Sequence, residues 1–122
     1  MTRIAISSEG PSLDDRVDPR FGRAAGFLIL DEESQKSRFI QNGDAQTLTQ
    51  GAGIQAAEII SNAGASILLT GFVGPKAFQA LTAAGITIVQ NLDNMTVRDA
   101  LDQYREGNVD IAEAPNRRGH WR

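Results

Sequence analysis

The stretch SILLTGFVGPKAFQALTAAGITIVQ, residues 66–90, decides the architecture. Its first part, 66–71, is a continuous apolar run of the kind that a sheet covers on both faces. Gly71, Gly74 and Pro75 interrupt that run, a helical pattern follows from Pro75 to Gly85, and residues 86–90 resume as a strand. Strand, helix and strand in this order form a right-handed crossover, so the two strands lie parallel. The first junction also raises a question of chemistry. A buried strand that breaks into Gly and Pro and restarts as a helix leaves unpaired N–H groups in one small space, with Lys76 beside them. Such a place suits an anion.

Working outward, residues 51–64 carry Ile54, Ala57, Ile60 and Ala63 at helical spacing and stop at Gly64. Residues 3–7 alternate as a first strand, and 25–31 with 37–41 read as a hairpin around a polar turn. Residues 96–107 form a last helix, opened by Thr96 and Asp99 and closed by Gly107. The predicted order is βββαβαβα, an α/β fold. Residues 8–23 make a long polar loop, and its part from about Ser8 to Asp18 is expected to be mobile until a ligand orders it. If the first strand lies beside the fourth, this loop, the Gly51–Gly53 turn, the 70–76 turn and Asn91 converge at one sheet edge, where α/β folds bind ligands.

At 122 residues with 41% hydrophobic side chains, the chain is sized for one domain with a real core. Residues 1–114 are expected to form it, with 115–122 as a flexible tail. Acidic residues outnumber basic ones by 15 to 12, which gives no overall pull toward nucleic acid or an anionic membrane. No apolar run approaches a membrane span and the start lacks a secretory h-region, so a cytoplasmic location is expected. The chain has no cysteine, which removes disulfides, thiolate nucleophiles and thiolate-held metal sites.

Most catalytic motifs are excluded. GFVGPK is too short for a P-loop and lacks its Ser or Thr. GAGIQA fits a dinucleotide fingerprint, but no strand leads straight into it and no acidic residue ends the next strand. Small residues that let a helix start close to the sheet explain it better. A two-metal nuclease needs carboxylates on the strands, and the first strand carries none. Asp14, Asp15 and Asp18 read as a solvated acidic loop, and His120, the single histidine, stands in the tail. No metal-ligating side chain is therefore assigned. In DPRFGRAAGF, residues 18–27, Arg20 and Arg23 flank Phe21 and Gly22, a pairing of guanidinium groups and bare backbone that suits a soft anion. The plainer alternative makes Phe21 core and pairs the arginines with the nearby aspartates.

DPRFGRAAGF, GAGIQAAEIISNAGA and LLTGFVGPKAFQALTAAGI, in this order and spacing, resemble the dinitrogenase iron-molybdenum cofactor biosynthesis family from Ile4 to Gly107. The resemblance implies a ribonuclease-H-like, three-layer α/β/α sandwich with a mixed five-stranded sheet in the order 3-2-1-4-5. It also implies binding or carriage of a metal-sulfur cluster in place of substrate turnover. The lack of cysteine and the SSEGP loop resemble those family members that carry a molybdenum-copper sulfide cluster. Such a cluster brings its own sulfides and a negative charge, so cations, backbone N–H groups and apolar contact can hold it noncovalently. The expected contacts are Ser8, Arg20, Phe21, Gly22 and Arg23 from the first loop, and Gln50, Gly51 and Gly53 from the GAG turn. Thr70, Gly71, Phe72, Gly74, Pro75, Lys76 and Asn91 complete the set. Many relatives carry a histidine where this chain has Gln50, which favours electrostatic docking. The expected partners are the cluster and the proteins that deliver or receive it. The rival expectation is a protein-interaction or regulatory module of the same fold without a cluster.

Overall fold

The computed structural model describes residues 2–43 and 51–115. Its elements are β1 (Arg3–Ser8), a 3-10 turn (Phe21–Arg23), β2 (Gly26–Asp31), β3 (Ser37–Gln41), α1 (Ala52–Asn62), β4 (Ile67–Leu69), α2 (Pro75–Ala83), β5 (Thr87–Val89) and α3 (Val97–Arg105). The five strands form one sheet in the order β3-β2-β1-β4-β5. β2 runs antiparallel to β1 and β3, whereas β1, β4 and β5 run parallel. β1 is therefore the point at which the strand order reverses.

Strand alternation sends neighbouring side chains into two cores, one on each side of the sheet. Ala5, Phe27, Ile29, Leu68 and Ile88 pack under α1 and α2 with Ala56, Ile60, Ala77 and Leu81. Ile4, Ile6, Leu28, Leu30, Leu69 and Val89 face the other way and meet Val97, Ala100 and Leu101 of α3. Helices on both faces of one sheet make the three-layer sandwich. β1, β4 and β5 are covered on both sides, which explains their unbroken apolar runs. Among the described residues, no helix is long and apolar enough to cross a membrane.

Three details differ from the sequence reading. β1 extends one residue further, to Ser8, which pairs with Gly26. β4 and β5 are shorter than 66–71 and 86–90. After Leu69 the ladder gives way to a turn in which Asn91 N–H donates to Gly71 O at 2.7 Å and Leu92 N–H to Thr70 O at 3.1 Å. The loop after β1 is also a packed structure. Val17, 2% exposed, enters the α3-side core, and Val17 N–H donates to Met95 O at 2.9 Å. Val97 N–H donates to Asp15 O and Arg98 N–H to Leu13 O, each at 2.8 Å, so this loop caps the start of α3.

The two sheet edges are treated differently. Beside β5, Ile111 bridges Val89 and Ala112 N–H donates to Ile88 O at 2.8 Å. β3 has no strand on its outer side among the described residues.

Candidate functional site

α1 and α2 both begin at the end of the sheet where β1 and β4 finish. α1 opens from Gly51, which adopts a left-handed conformation at φ +78°, and α2 opens from Gly74 with Pro75 in its first turn. Among the described residues, neither start is capped by a side chain. The start of α3 is capped, with Thr96 Oγ1 accepting from Asp99 N–H at 3.1 Å. The first helical bond of α1 runs from Gln55 N–H to Gly51 O and that of α2 from Phe78 N–H to Gly74 O, both at 2.9 Å. The N–H groups of Ala52, Gly53, Ile54, Lys76 and Ala77 therefore lie ahead of the helical ladders.

The two helix starts are in close contact. A Cβ on Gly53 would stand 2.6 Å from Ala77 Cβ, and one on Gly22 would stand 2.9 Å from Gly53 N. Gly22 requires glycine because it meets the backbone of α1, and Gly53 because it meets the Ala77 methyl group. Gly51 and Gly74 differ, since a Cβ on either would meet nothing within 4 Å. Together the 3-10 turn and the two helix starts enclose a cleft of about 430 Å³, lined by Gly22, Arg23, Gly51, Ala52, Gly53, Ile54, Gly74, Pro75, Lys76 and Ala77. Among the described residues, the lining contains two cations and no carboxylate. The positive ends of both helix dipoles add to Arg23 and Lys76. Ile54, 43% exposed, gives the rim an apolar contact.

The turn that presents Gly22 and Arg23 is braced from below. The buried Asp18 carboxylate accepts from Arg20 N–H at 3.3 Å and from Ala25 N–H at 3.1 Å. Asn42, 3% exposed, donates through Nδ2 to Gly22 O at 3.1 Å and to Ala24 O at 3.0 Å. Phe72 N–H donates to Pro19 O at 2.8 Å, and Phe21 N–H to Phe72 O at 3.3 Å, tying the loop to the segment after β4.

The structure thus brings Gly22, Arg23, Gly51, Gly53, Gly74, Pro75 and Lys76 of the expected contacts into one cleft. The other expected contacts stand elsewhere. Phe21 is 1% exposed and packs on Phe27, ring centroids 5.4 Å apart, as the plainer alternative held. Arg20 precedes the 3-10 turn in extended conformation and is exposed outside the cleft lining. Ser8 is buried, its hydroxyl donating to Gly10 O at 2.6 Å, and the buried Thr70 hydroxyl lies 2.7 Å from Ser7 Oγ. Gly71 packs on Pro19, and Phe72 is half-buried behind it. Asn91 lines a separate hollow of about 330 Å³ with Asn108 and Asp110. Gln50 lies outside the described residues, as does His120. The neighbouring aspartates do not take up the arginine side chains in the way the alternative supposed. Asp14 pairs with Arg98 at 3.0 Å, Asp15 accepts from Ser12 N–H, and Asp18 accepts from backbone.

The sequence reading did not single out Ala52, Ile54 and Ala77 in the lining or Asn42 beneath the turn, and it read Asp18 as part of a solvated loop, whereas its carboxylate is buried on backbone N–H groups. Asp18 was open to recognition, because Asp before Pro commonly folds back on its own backbone. Asn42 carries no such signal. Among the described residues, no group of three or more His, Cys, Asp or Glu is placed to hold a metal ion.

The fold is a small α/β sandwich with a cationic cleft beside its switch point, and its family is shown by sequence. The chain belongs to the dinitrogenase iron-molybdenum cofactor family, whose profile matches residues 1–107. It is similar to the orange protein of Desulfovibrio gigas in its apo form, at 53% identity and TM-score 0.93, over 96% of this chain and 98% of that one. A Thermotoga protein of the DUF35 family is 33% identical with TM-score 0.84, over 98% of this chain and all of the other. An uncharacterized protein of Methanocaldococcus jannaschii is 26% identical over 105 residues, 84% of this chain and 88% of its own.

Proposed function

We propose that this cleft carries an anionic metal-sulfur cluster of the molybdenum-copper or iron-molybdenum sulfide type, held without a covalent bond to the protein. The observation that carries the reading is the pair of helix starts that, among the described residues, have no side-chain caps around one cationic space, while α3 has its cap. Bare N–H groups aimed at a shared cleft call for an acceptor. The residues present fit such a cargo. Gly51 and Gly74 leave room where a side chain would stand, Arg23 and Lys76 supply charge, and Ile54 and Pro75 supply apolar contact to the sulfides. No thiolate is required, because the cluster is saturated by its own sulfur. Membership of the cofactor family and similarity to the orange protein support the same reading. On it, the protein is a cytoplasmic carrier with no catalytic turnover, and 1–114 is the carrier domain.

Titration with tetrathiomolybdate and copper, followed through the visible charge-transfer band, tests the proposal. Arg23→Ala and Lys76→Ala are expected to weaken binding by roughly 5- to 20-fold each, and Arg20→Ala by less. Binding unchanged in both cleft variants would place the cluster elsewhere. A parent protein that develops no band would leave the protein-interaction module as the better description.

A further inference from the structure

At the opposite end of the sheet from the cleft, Arg3, Ile29, Asp31, Lys36 and Arg38 line a second hollow, of about 410 Å³. Arg3 is on β1, Ile29 is on β2 and Arg38 is directly across from Ile29 on β3. Alternation puts Lys36 and Arg38 on the same face as Ile40, so the cations gather on one side of the sheet. Among the described residues none of Arg3, Lys36 and Arg38 is in an ion pair. The one carboxylate in the lining, Asp31, accepts from the backbone N–H groups of Glu33 and Ser34 at 2.9 and 3.2 Å.

The edge strand beside this hollow has its own unmet requirement. Asp31 N–H donates to Lys36 O and Asn42 N–H to Ala25 O, which fixes the bonded pairs of the β2–β3 ladder. By alternation, Arg38 and Ile40 turn their backbone groups toward β2. Ser37, Phe39 and Gln41 turn theirs away from the sheet, where no described strand pairs with them. The far edge, β5, is covered by the segment at Ile111 and Ala112. An open edge with two cations on one face matches an extended segment with acidic residues at alternate positions.

We infer that β3 is the docking strand for an acidic, extended segment of a partner protein, which adds to the sheet through Ser37, Phe39 and Gln41 and places its carboxylates against Lys36 and Arg38. This inference does not depend on the cluster, because the hollow and the cleft share no residue. A carrier loaded at one end and gripped at the other could stay loaded while held.

The test uses a short, capped, fluorescent peptide of alternating threonine and glutamate. Anisotropy should report binding that weakens as salt rises, and amide NMR should report shifts centred on Ser37, Phe39 and Gln41. Lys36→Ala combined with Arg38→Ala, both at exposed positions, should weaken binding by about tenfold, and Lys36→Arg should retain it. Methylating the peptide nitrogens that face β3 should abolish binding while the charge is unchanged. The inference is overturned if the methylated peptide binds equally well, if inorganic phosphate displaces the peptide at comparable concentration, or if the peptide fails to bind at all. It is also overturned if Arg23→Ala with Lys76→Ala removes binding and the Lys36 and Arg38 changes do not.

Discussion

A methyl group added at Gly71 would stand 2.5 Å from Pro19 O and 2.7 Å from Pro19 Cα, whereas one added at Gly74 would meet nothing within 4 Å. The two glycines sit in one short turn, yet Gly71 serves packing and Gly74 leaves room at the cleft. Gly71→Ala is expected to destabilise the fold by about 2–3 kcal/mol, since backbone would have to move. Gly74→Ala, at an ordinary negative φ, should change stability by less than about 0.5 kcal/mol. Only the second substitution should leave a well-folded protein with weakened cluster uptake, and urea unfolding beside the thiomolybdate titration would separate them. Sequence reading assigned both glycines to the ligand, because the contact of Gly71 with Pro19 joins segments far apart in the chain. Thr70 likewise has a partner from far along the chain. Its hydroxyl lies 2.7 Å from Ser7 Oγ, which also donates to Asp18 O at 2.8 Å. Thr70→Val would strip a partner from this buried group and is expected to cost about 1–3 kcal/mol in the same unfolding measurement.

At the scale of elements, what could be read locally was read correctly. The alternation in β1 to β3, the 3.6-residue spacing in the helices and the Thr96 cap of α3 are short-range patterns, and each stands within one or two residues of where the sequence placed it. The loop after β1 was not legible as structure. Its order comes from Leu13, Asp15 and Val17, whose backbone partners belong to the segment at Met95–Arg98. Periodicity carries no trace of such a pairing. The expectation of a loop that orders only on loading is therefore replaced by a different one. Hydrogen exchange of the cluster-free protein should show Val17, Val97 and Arg98 amides protected well above the amides of Ser12 to Asp14. Equal, rapid exchange across all of them would contradict the packing described. Similarly, Arg20 and Arg23 looked equivalent in sequence. The 3-10 turn includes Arg23 and begins after Arg20, and only the former lines the cleft.

For the whole molecule, the separation of two basic sites on a chain of net charge −3 sets how it responds to its solution. Held by charge, a cluster in the cleft should bind less tightly as ionic strength rises, though less steeply than a fully exposed ion pair, because the cleft partly screens it from solvent. A direct bond from a side chain to metal would respond weakly to salt, so titration at low and high ionic strength distinguishes the two. Truncation probes the sheet itself. A chain ending at Ala114 keeps the segment bonded to Ile88 and Val89 and should keep its melting temperature within about 2 °C. A chain ending at Asn108 loses that cover and should melt several degrees lower.

The unequal edges also fix a valency. A sheet that is open on both sides can add strands without limit, as fibres do. Here the border at β5 is occupied by the chain's own Ile111 and Ala112, and among the described residues β3 is the border left open. β3 itself can pair with one further strand at a time. On the docking proposed for β3, whichever molecule pairs with it first excludes the next, and delivery and receipt through this edge would have to take turns.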